Sequence, residues 1–527
     1  MIIHSAPQLS LDFFGSQPVV VEACPAQLSS DAGLLLFRQL DEQLGLTRQF
    51  ADALLDPRHA AYVGHSFLEM TRARIYGILA GYADQNDHDV LRSDPIFKLL
   101  CDRAIGDKHL ASQPTLSRFE NAIKPQCFVR LQDVFLDQFI ASFDTPPRHL
   151  TLDIDPFDDP THGQQQLTFF HGYYGQYQYL PRVITCAEND LVLTVCLLHG
   201  TANPALGALD DLAYVVARLR QAWPGVRIHL RGDSGFGVPT MYHACEQLDI
   251  DYTLGFGMNA RLKKLTDSLL EQAVTDWQAT GEPQRLFTAF WYKADSWPAQ
   301  RWVVVKCEAH AEGTNRRAVV TNRLGAFVLP GAAYDGYADR GESENRNKEL
   351  KCGLQADRLS DHRYFANLFR LYLHAATHNL LVHMRHVAVD PPPADPPPPL
   401  PPSDVPTEAL AGRRRRQWHN RRREHDPLGE GQPCTWRTRL IKVAARVRQT
   451  TRRVIIELSS SWPYLEYFWK IGQRLLAVRQ AAADSGLCHA SSGRSDASDA
   501  ETRLGERGRC PLTATLSRYS DSQSTRS

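Results

Sequence analysis

No stretch of this 527-residue chain approaches the roughly 18 consecutive apolar residues that a membrane helix needs. The opening, MIIHSAPQLSLDFFGSQPVV, has no basic segment followed by an apolar one, so no secretory leader is expected. Cysteine is scarce and unpatterned: 11 residues with no CxxC pair, which argues against a disulfide framework or a structural zinc site. Net charge is also lacking, since 59 Lys and Arg balance 59 Asp and Glu. No global field therefore announces a nucleic-acid partner. Together these absences lead to the expectation of a cytoplasmic protein in a reducing compartment. What is present is 43% apolar and 22% charged residues, the composition of a soluble globular protein. The length suggests roughly two to four domains.

Residues 1–146 read as a helical N-terminal domain. SSDAGLLLFRQLDEQLGL and HSFLEMTRARIYGILAGYAD repeat apolar positions at three and four after cap-type residues. From 147 to 385 the pattern changes to a mixed α/β sheet. TLDID, VRIHLRGD and DYTLGF read as strands, and ALGALDDLAYVVARLRQAWPG as an amphipathic helix. Residues of about 260–330 read as a β-rich insertion within it. A proline-rich linker covers 386–410. A basic region follows at 411–481, expected to bind DNA or to dimerise. Residues 482–527, rich in Ser, Gly, Arg and Asp, are expected to be a disordered tail.

Three acids stand where an α/β sheet displays its chemistry. Asp155 ends TLDID, Asp233 ends VRIHLRGD, and Glu344 lies in the charge-dense stretch YADRGESENRNKEL. Strand ends that face a turn form the usual crevice of an open sheet. Three carboxylates converging there need a neutralising cation, and a hard ion such as Mg²⁺ suits them. Two such ions can serve an in-line displacement at a phosphodiester. The plainer reading is that a strand-terminal Asp is a turn former or helix cap. Asp153, Asp158 and Asp159 crowd Asp155; Asp153 is the lesser candidate because it sits two residues back from the strand end.

The charged stretch has its own internal spacing. At 100° per residue, Tyr337, Arg340, Glu344 and Lys351 would share an arc of about 60° if the segment were one helix. One carboxylate would then stand beside a phenol, a guanidinium and an ammonium, able to meet metal and phosphate. A salt-bridged solvated face explains the same pattern. Gly341 can also mark a helix start, leaving Tyr337 and Arg340 in the preceding turn.

The spacing Tyr337-x2-Arg340-x3-Glu344-x6-Lys351 resembles the Y-x2-R-x3-E-x6-K signature of DDE-type transposases of bacterial insertion sequences. LDIDPFDDPTHGQQ, RGDSGF and RGESENRNKELK are similar to the three catalytic regions of the insertion-sequence-1380 family. HGYYGQYQYLP, LLHGTANPALGALDDL and LASQPTLSRFEN also resemble that family. The resemblance covers roughly residues 10–480. It implies an RNase H-like catalytic core in which Asp155, Asp233 and Glu344 are catalytic and bind metal, Mg²⁺ or Mn²⁺, as two ions. It implies that Tyr337, Arg340 and Lys351 contact DNA. The implied activity is cleavage at the element's terminal inverted repeats followed by strand transfer into target DNA, by a homodimer, with the helical N-terminal domain as a candidate for end recognition. The rivals are a junction resolvase or other RNase H-like nuclease, and an inactive transposase-derived DNA-binding protein.

Charge that is absent overall is concentrated near the C-terminus. Residues 411–454 hold 14 Lys and Arg against 3 Asp and Glu. Arg413, Arg414, Arg415 and Arg416 form one run and Arg421, Arg422 and Arg423 another. Beside a phosphodiester-cutting core such runs are expected to bind DNA backbone, with salt-sensitive affinity and little sequence readout. Other signals are weaker. His162 reads first as a polar loop residue, and Ser234 lacks the nucleophile-elbow context. GFGMNA lacks the full dinucleotide-binding spacing. Tyr173, Tyr174, Tyr177 and Tyr179 read first as a packed cross-strand set.

Overall fold

The computed structural model describes residues 8–484 except 12, 14–16, 18, 173, 324–328, 390–427, 429 and 430, with side chains described through 477. Both arginine runs, Tyr173, the linker from 390 onward and the tail from 485 onward lie outside the described residues.

The chain begins with a small hairpin of β1 (Gln8–Leu11) and β2 (Val19–Glu22), then β3 (Gln27–Ser29). Seven helices follow: α1 (Leu34–Leu44), α2 (Leu46–Asp52), α3 (Phe67–Ala80), α4 (His88–Leu91), α5 (Pro95–Leu100), α6 (Gln113–Asn121) and α7 (Pro125–Ala141). Their starts are written locally. Ser66 accepts a hydrogen bond from the Glu69 amide at 3.0 Å, the Ser-x-x-Glu arrangement that opens α3. Asp94 accepts from the Ile96 and Phe97 amides, with Pro95 at the first helical position of α5.

The central sheet has ten strands. β4 (His149–Pro156), β5 (Asp159–Pro160), β6 (Phe169–His171), β7 (Gln176–Cys186) and β8 (Val192–His199) come first. α8 (Ala208–Ala222) crosses to β9 (Arg227–Gly232), and α9 (Pro239–Gln247) crosses to β10 (Asp251–Phe256). β4 and β8 flank β7, each pairing antiparallel with it, while β9 runs parallel to β4 on its other side and β10 parallel to β9. An antiparallel trio continued by two parallel strands through helical crossovers is an RNase H-like sheet.

The β-rich stretch extends this sheet rather than forming a separate body. It opens with two helices, α10 (Ala260–Leu265) and α11 (Asp267–Thr280), so its strand content starts only at Gln284. β11 (Gln284–Tyr292), β12 (Arg301–His310) and β13 (Gly313–Thr321) then form a meander whose last strand pairs antiparallel with β10. α12 (Pro330–Ala338) and α13 (Gly341–Lys348) return the chain to the centre. A wide turn at Glu349–Gly353 leads on to α14 (Tyr364–Ala388), which is buried along most of its length.

The two faces of the central strands differ in chemistry. Leu150, Leu152, Ile154, Ile228, Leu230 and Leu254 point to an apolar layer with α8 and α9. The alternate positions are polar. Asp153 and Arg231 are direct partners across β4 and β9. Both carboxylate oxygens accept from the guanidinium, from Nε and Nη2, at 2.7 Å each. Arg231 Nη1 also donates to the Gly336 carbonyl of α12 at 2.6 Å.

The C-terminal segment does not stand apart from the N-terminal helices. α15 (Pro433–Trp436), β14 (Ala445–Gln449), β15 (Val454–Leu458) and α16 (Leu465–Asp484) complete the chain. β14 pairs with β3, joining the two ends of the sequence in a three-stranded sheet. Trp436 is fully buried in the same core as Phe37 and α14. Arg437 donates to the carbonyls of Ile78, Leu79 and Gly353 at 2.8, 2.7 and 2.7 Å.

Removing one partner from the buried Asp153–Arg231 pair strands a charge at a cost of about 3–5 kcal/mol. Arg231→Met is expected to lower the thermal midpoint by many degrees. Replacing both partners, as Asp153→Leu with Arg231→Met, should recover part of that loss. Thermal unfolding followed by circular dichroism measures both.

Candidate active site

Asp155 lies at the carboxyl end of β4, on the same face as Asp153. Asp233 follows the last residue of β9 and caps the short turn Ser234–Phe236, accepting from the Gly235 amide at 2.8 Å. The turn-forming reading of Asp233 is thus correct, and it fixes one carboxylate oxygen while the side chain stays at the strand end. Gly255 on β10 keeps this corner tight. A Cβ there would stand 2.8 Å from the Ser234 nitrogen and 2.8 Å from the Tyr337 hydroxyl.

Tyr337, Arg340, Glu344 and Lys351 do not lie on one helix. Tyr337 lies in the last turn of α12, Asp339 and Arg340 form a break, and Glu344 lies in α13, which starts at Gly341. The wide turn then changes the rotation before Lys351, closing with the Leu354 amide on the Glu349 carbonyl at 2.8 Å. The first three residues still meet. Arg340 Nη2 donates to Glu344 Oε1 at 2.5 Å, and Nη1 lies 3.4 Å from Asp155 Oδ1. The Arg340 guanidinium carbon is 5.7 Å from the Tyr337 ring centre. Lys351 points elsewhere, donating to Asp158 Oδ1 at 2.5 Å.

Two contacts escaped the sequence. Asn347 Nδ2 donates to Asp155 Oδ2 at 2.8 Å, so Asp155 has Asn347 on one oxygen and Arg340 beside the other. The Ser343 and Thr185 hydroxyls are 3.2 Å apart and pin α13 to β7. The only signal for Asn347 was its position one helical turn past Glu344. Of the crowding acids, Asp153 serves Arg231 and Asp158 serves Lys351. His162 is exposed in the loop after β5. Tyr179 is buried, whereas Tyr174 and Tyr177 are exposed.

Among the described residues, no three His, Cys, Asp or Glu side chains are gathered as a metal-binding group. Arg340 stands between the acids instead. Their donor chemistry nevertheless fits a hard divalent cation: carboxylates, a neighbouring amide, and no thiol or imidazole.

Residues 12–394 match the family model described as transposase DDE domain, group 1. The chain belongs to that transposase family. No curated protein matches its sequence. Among solved structures, the piggyBac transposase synaptic complex with hairpin DNA is 14% identical, with 68% of this chain and 75% of that chain covered and a TM-score of 0.36.

Within this DDE-family chain the Asp155 carboxyl is strongly perturbed. Burial pushes its carboxyl up to about 7; Asp233 and Glu344 add to the rise, and Arg340 and Asn347 offset only part of it. Arg340 is held above its ordinary value despite burial, by Asp155, Tyr337, Glu344 and Asp233. Burial also raises Asp158, but the Lys351 and Gln176 hydrogen bonds outweigh it and hold that carboxyl below its ordinary value. Exposure separates the acids: 13% of the Asp155 side chain is exposed against 57% of Glu344.

The raised Asp155 has a signed consequence. The native state holds this proton more tightly than the unfolded chain, so Asp155 costs stability as pH rises from about 4 to about 7. Asp155→Asn is therefore expected to match wild type in thermal midpoint near pH 4 and to exceed it by several degrees at pH 8, in metal-free buffer. A midpoint difference independent of pH would contradict the assignment.

Proposed function

We propose that this protein is an insertion-sequence transposase of the insertion-sequence-1380 type. It cleaves DNA at the terminal inverted repeats of its element and joins the freed 3′ ends to target DNA. The observation that carries the reading is the meeting of Asp155 and Glu344 on Arg340, beside the turn that Asp233 caps. Asp155, Asp233 and Glu344 would hold two divalent ions, Mg²⁺ or Mn²⁺, which when bound activate the attacking oxygen and stabilise the leaving one. Asn347 orients Asp155, and the Gly235 amide orients Asp233. Arg340 and Lys351 supply positive charge for phosphate oxygens, with Tyr337 packed beside Arg340. Residues 147–385 form the catalytic unit in this reading, and 1–146 contribute to recognition of the DNA end. An element has two ends, so a homodimer working on nucleoid DNA in a bacterial cytoplasm fits best.

The described part of the basic region supports a DNA partner. Arg446 and Arg448 lie on the exposed face of β14, where residues alternate with buried Ala445 and Val447. Arg452 and Arg453 are exposed in the turn before β15. Glu457 is near both Arg446 and Arg448, at 4.0 and 2.5 Å. Arg448→Glu with Arg452→Glu is expected to weaken duplex binding by tenfold or more at low salt. It should also flatten the dependence of affinity on salt. Fluorescence anisotropy across a salt series tests this.

The decisive assay for the activity is excision from a plasmid that carries the DNA flanking the gene. Mg²⁺-dependent excision by wild type, lost in Asp155→Ala, Asp233→Ala and Glu344→Ala while DNA binding persists, is the expected result. Cleavage of branched DNA without end sequences would favour a resolvase. Binding without any cleavage by wild type would favour an inactive derivative. Cleavage that survives Glu344→Ala would return Glu344 to the role its exposure suggests, a solvated helix residue paired with Arg340.

A further inference from the structure

Arg340 makes a poor structural salt bridge and an apt temporary one. Its side chain is 11% exposed, yet Nε and Nη1 make no well-formed hydrogen bond among the described residues, the Tyr337 hydroxyl offering the guanidinium only a weak one. Nη1 is close enough to Asp155 for charge attraction, at 3.4 Å, but does not form a hydrogen bond with it. Only Nη2 is well bonded, and its acceptor is the exposed Glu344. A buried guanidinium without its full set of acceptors is costly to keep in place. The contrast within the same face is sharp. Arg231 donates to both oxygens of Asp153 and to a backbone carbonyl. Arg231 is therefore built in, whereas Arg340 is lodged.

Its backbone is held, the amide on the Tyr337 carbonyl at 3.0 Å and the carbonyl accepting from the Ser343 amide at 2.8 Å, so the movement required is of the side chain alone. Arg340 stands in the break between α12 and α13, so it is not carried in the middle of either helix. Asp155 is anchored independently by Asn347, and the helix that carries Glu344 is pinned by Ser343. Asp155 and α13 would keep their places if the guanidinium left.

We propose that Arg340 is a resident counter-cation of the carboxylate site, which it leaves for a DNA phosphate, so that the DNA-free protein binds divalent metal weakly and DNA makes the site available. The inference rests on the proposed metal-binding role of Asp155. One guanidinium serves two anions in turn: carboxylates in the free protein, a phosphate in the complex. Both are planar or tetrahedral oxyanions that an arginine fork fits. Metal and arginine compete for the same negative charge, so binding of one is linked to release of the other.

The test uses Mn²⁺ and the full chain without DNA, by isothermal titration calorimetry and by the loss of the free Mn²⁺ electron paramagnetic resonance signal. Wild type is compared with Arg340→Gln, Arg340→Lys, Asp155→Asn and the double variant Arg340→Gln with Asp155→Asn. Arg340→Gln is expected to tighten Mn²⁺ binding tenfold or more. Arg340→Lys should tighten it less, because one ammonium spans fewer oxygens than a fork; it also decides the matter if circular dichroism shows Arg340→Gln to be misfolded. Unchanged or weaker binding in the folded Arg340 variants overturns the counter-cation. If wild-type binding is lost in Asp155→Asn while the Arg340 variants stay at the wild-type value, the metal site stands and only this inference fails. If tightening persists in the double variant, or nothing binds, the proposed metal-binding role of Asp155 fails, and the inference with it.

Discussion

Arg231 holds the centre of the molecule together, and the site depends on where it is held. It joins β4 to β9 through Asp153 and reaches α12 through the Gly336 carbonyl. A buried ion pair is weak support for stability, because desolvation consumes much of the attraction. It is strong support for one register. Slipping β4 by one residue would turn Asp153 and Asp155 into the apolar layer and leave the guanidinium without a partner. Asp155 lies two residues beyond Asp153 and Asp233 two beyond Arg231, so the same register sets both acids at the same edge. The helix that carries Tyr337 is fixed by the third hydrogen bond of the same side chain.

At that edge the balance of charge is unfavourable without a cation. A rise of Asp155 to about 7 from 3.8 amounts to about 4 kcal/mol against ionisation. A single pair of charges near 4 Å returns about 4 kcal/mol at an effective dielectric of 20. The net shift already includes the attraction of Arg340, so burial and the repulsion of Asp233 and Glu344 together exceed what one arginine, which must also serve Glu344, returns. The net upward shift is the residue of that competition. A site in this condition gains from further positive charge.

Much of this was legible because it is written locally. TLDID and VRIHLRGD alternate apolar and polar residues, which announces strands with one apolar face and places both aspartates at strand ends. The Tyr, Arg, Glu and Lys spacing picks out a segment that does approach Asp155, although not as one helix. The error is physical: Asp339 and Arg340 break the helix, and the wide turn at Glu349–Gly353 adds rotation that no periodicity displays. Asn347 was invisible because a buried amide on a carboxylate 192 positions away leaves no local trace. The extension of the sheet by β11–β13 was legible as strands but not as neighbours of β10, since pairing is a long-range choice.

The closing of the N-terminal helices by the C-terminal segment was equally hidden, because arginine-rich composition masks a few buried residues. Trp436 and Ile441 lie in the helical core, and Arg437 satisfies carbonyls of Ile78 and Leu79 at the carboxyl end of α3. The same guanidinium takes the Gly353 carbonyl, two residues after Lys351. A Cβ on Gly353 would stand 2.7 Å from Pro433, so the segment touches the wide turn directly. Arg437 is thereby common to the α3 end and the signature turn, while β14 joins the exposed Arg446 and Arg448 to β3. Residues 27–29 and 433–449 are therefore part of the packed scaffold that holds the turn at Glu349–Gly353.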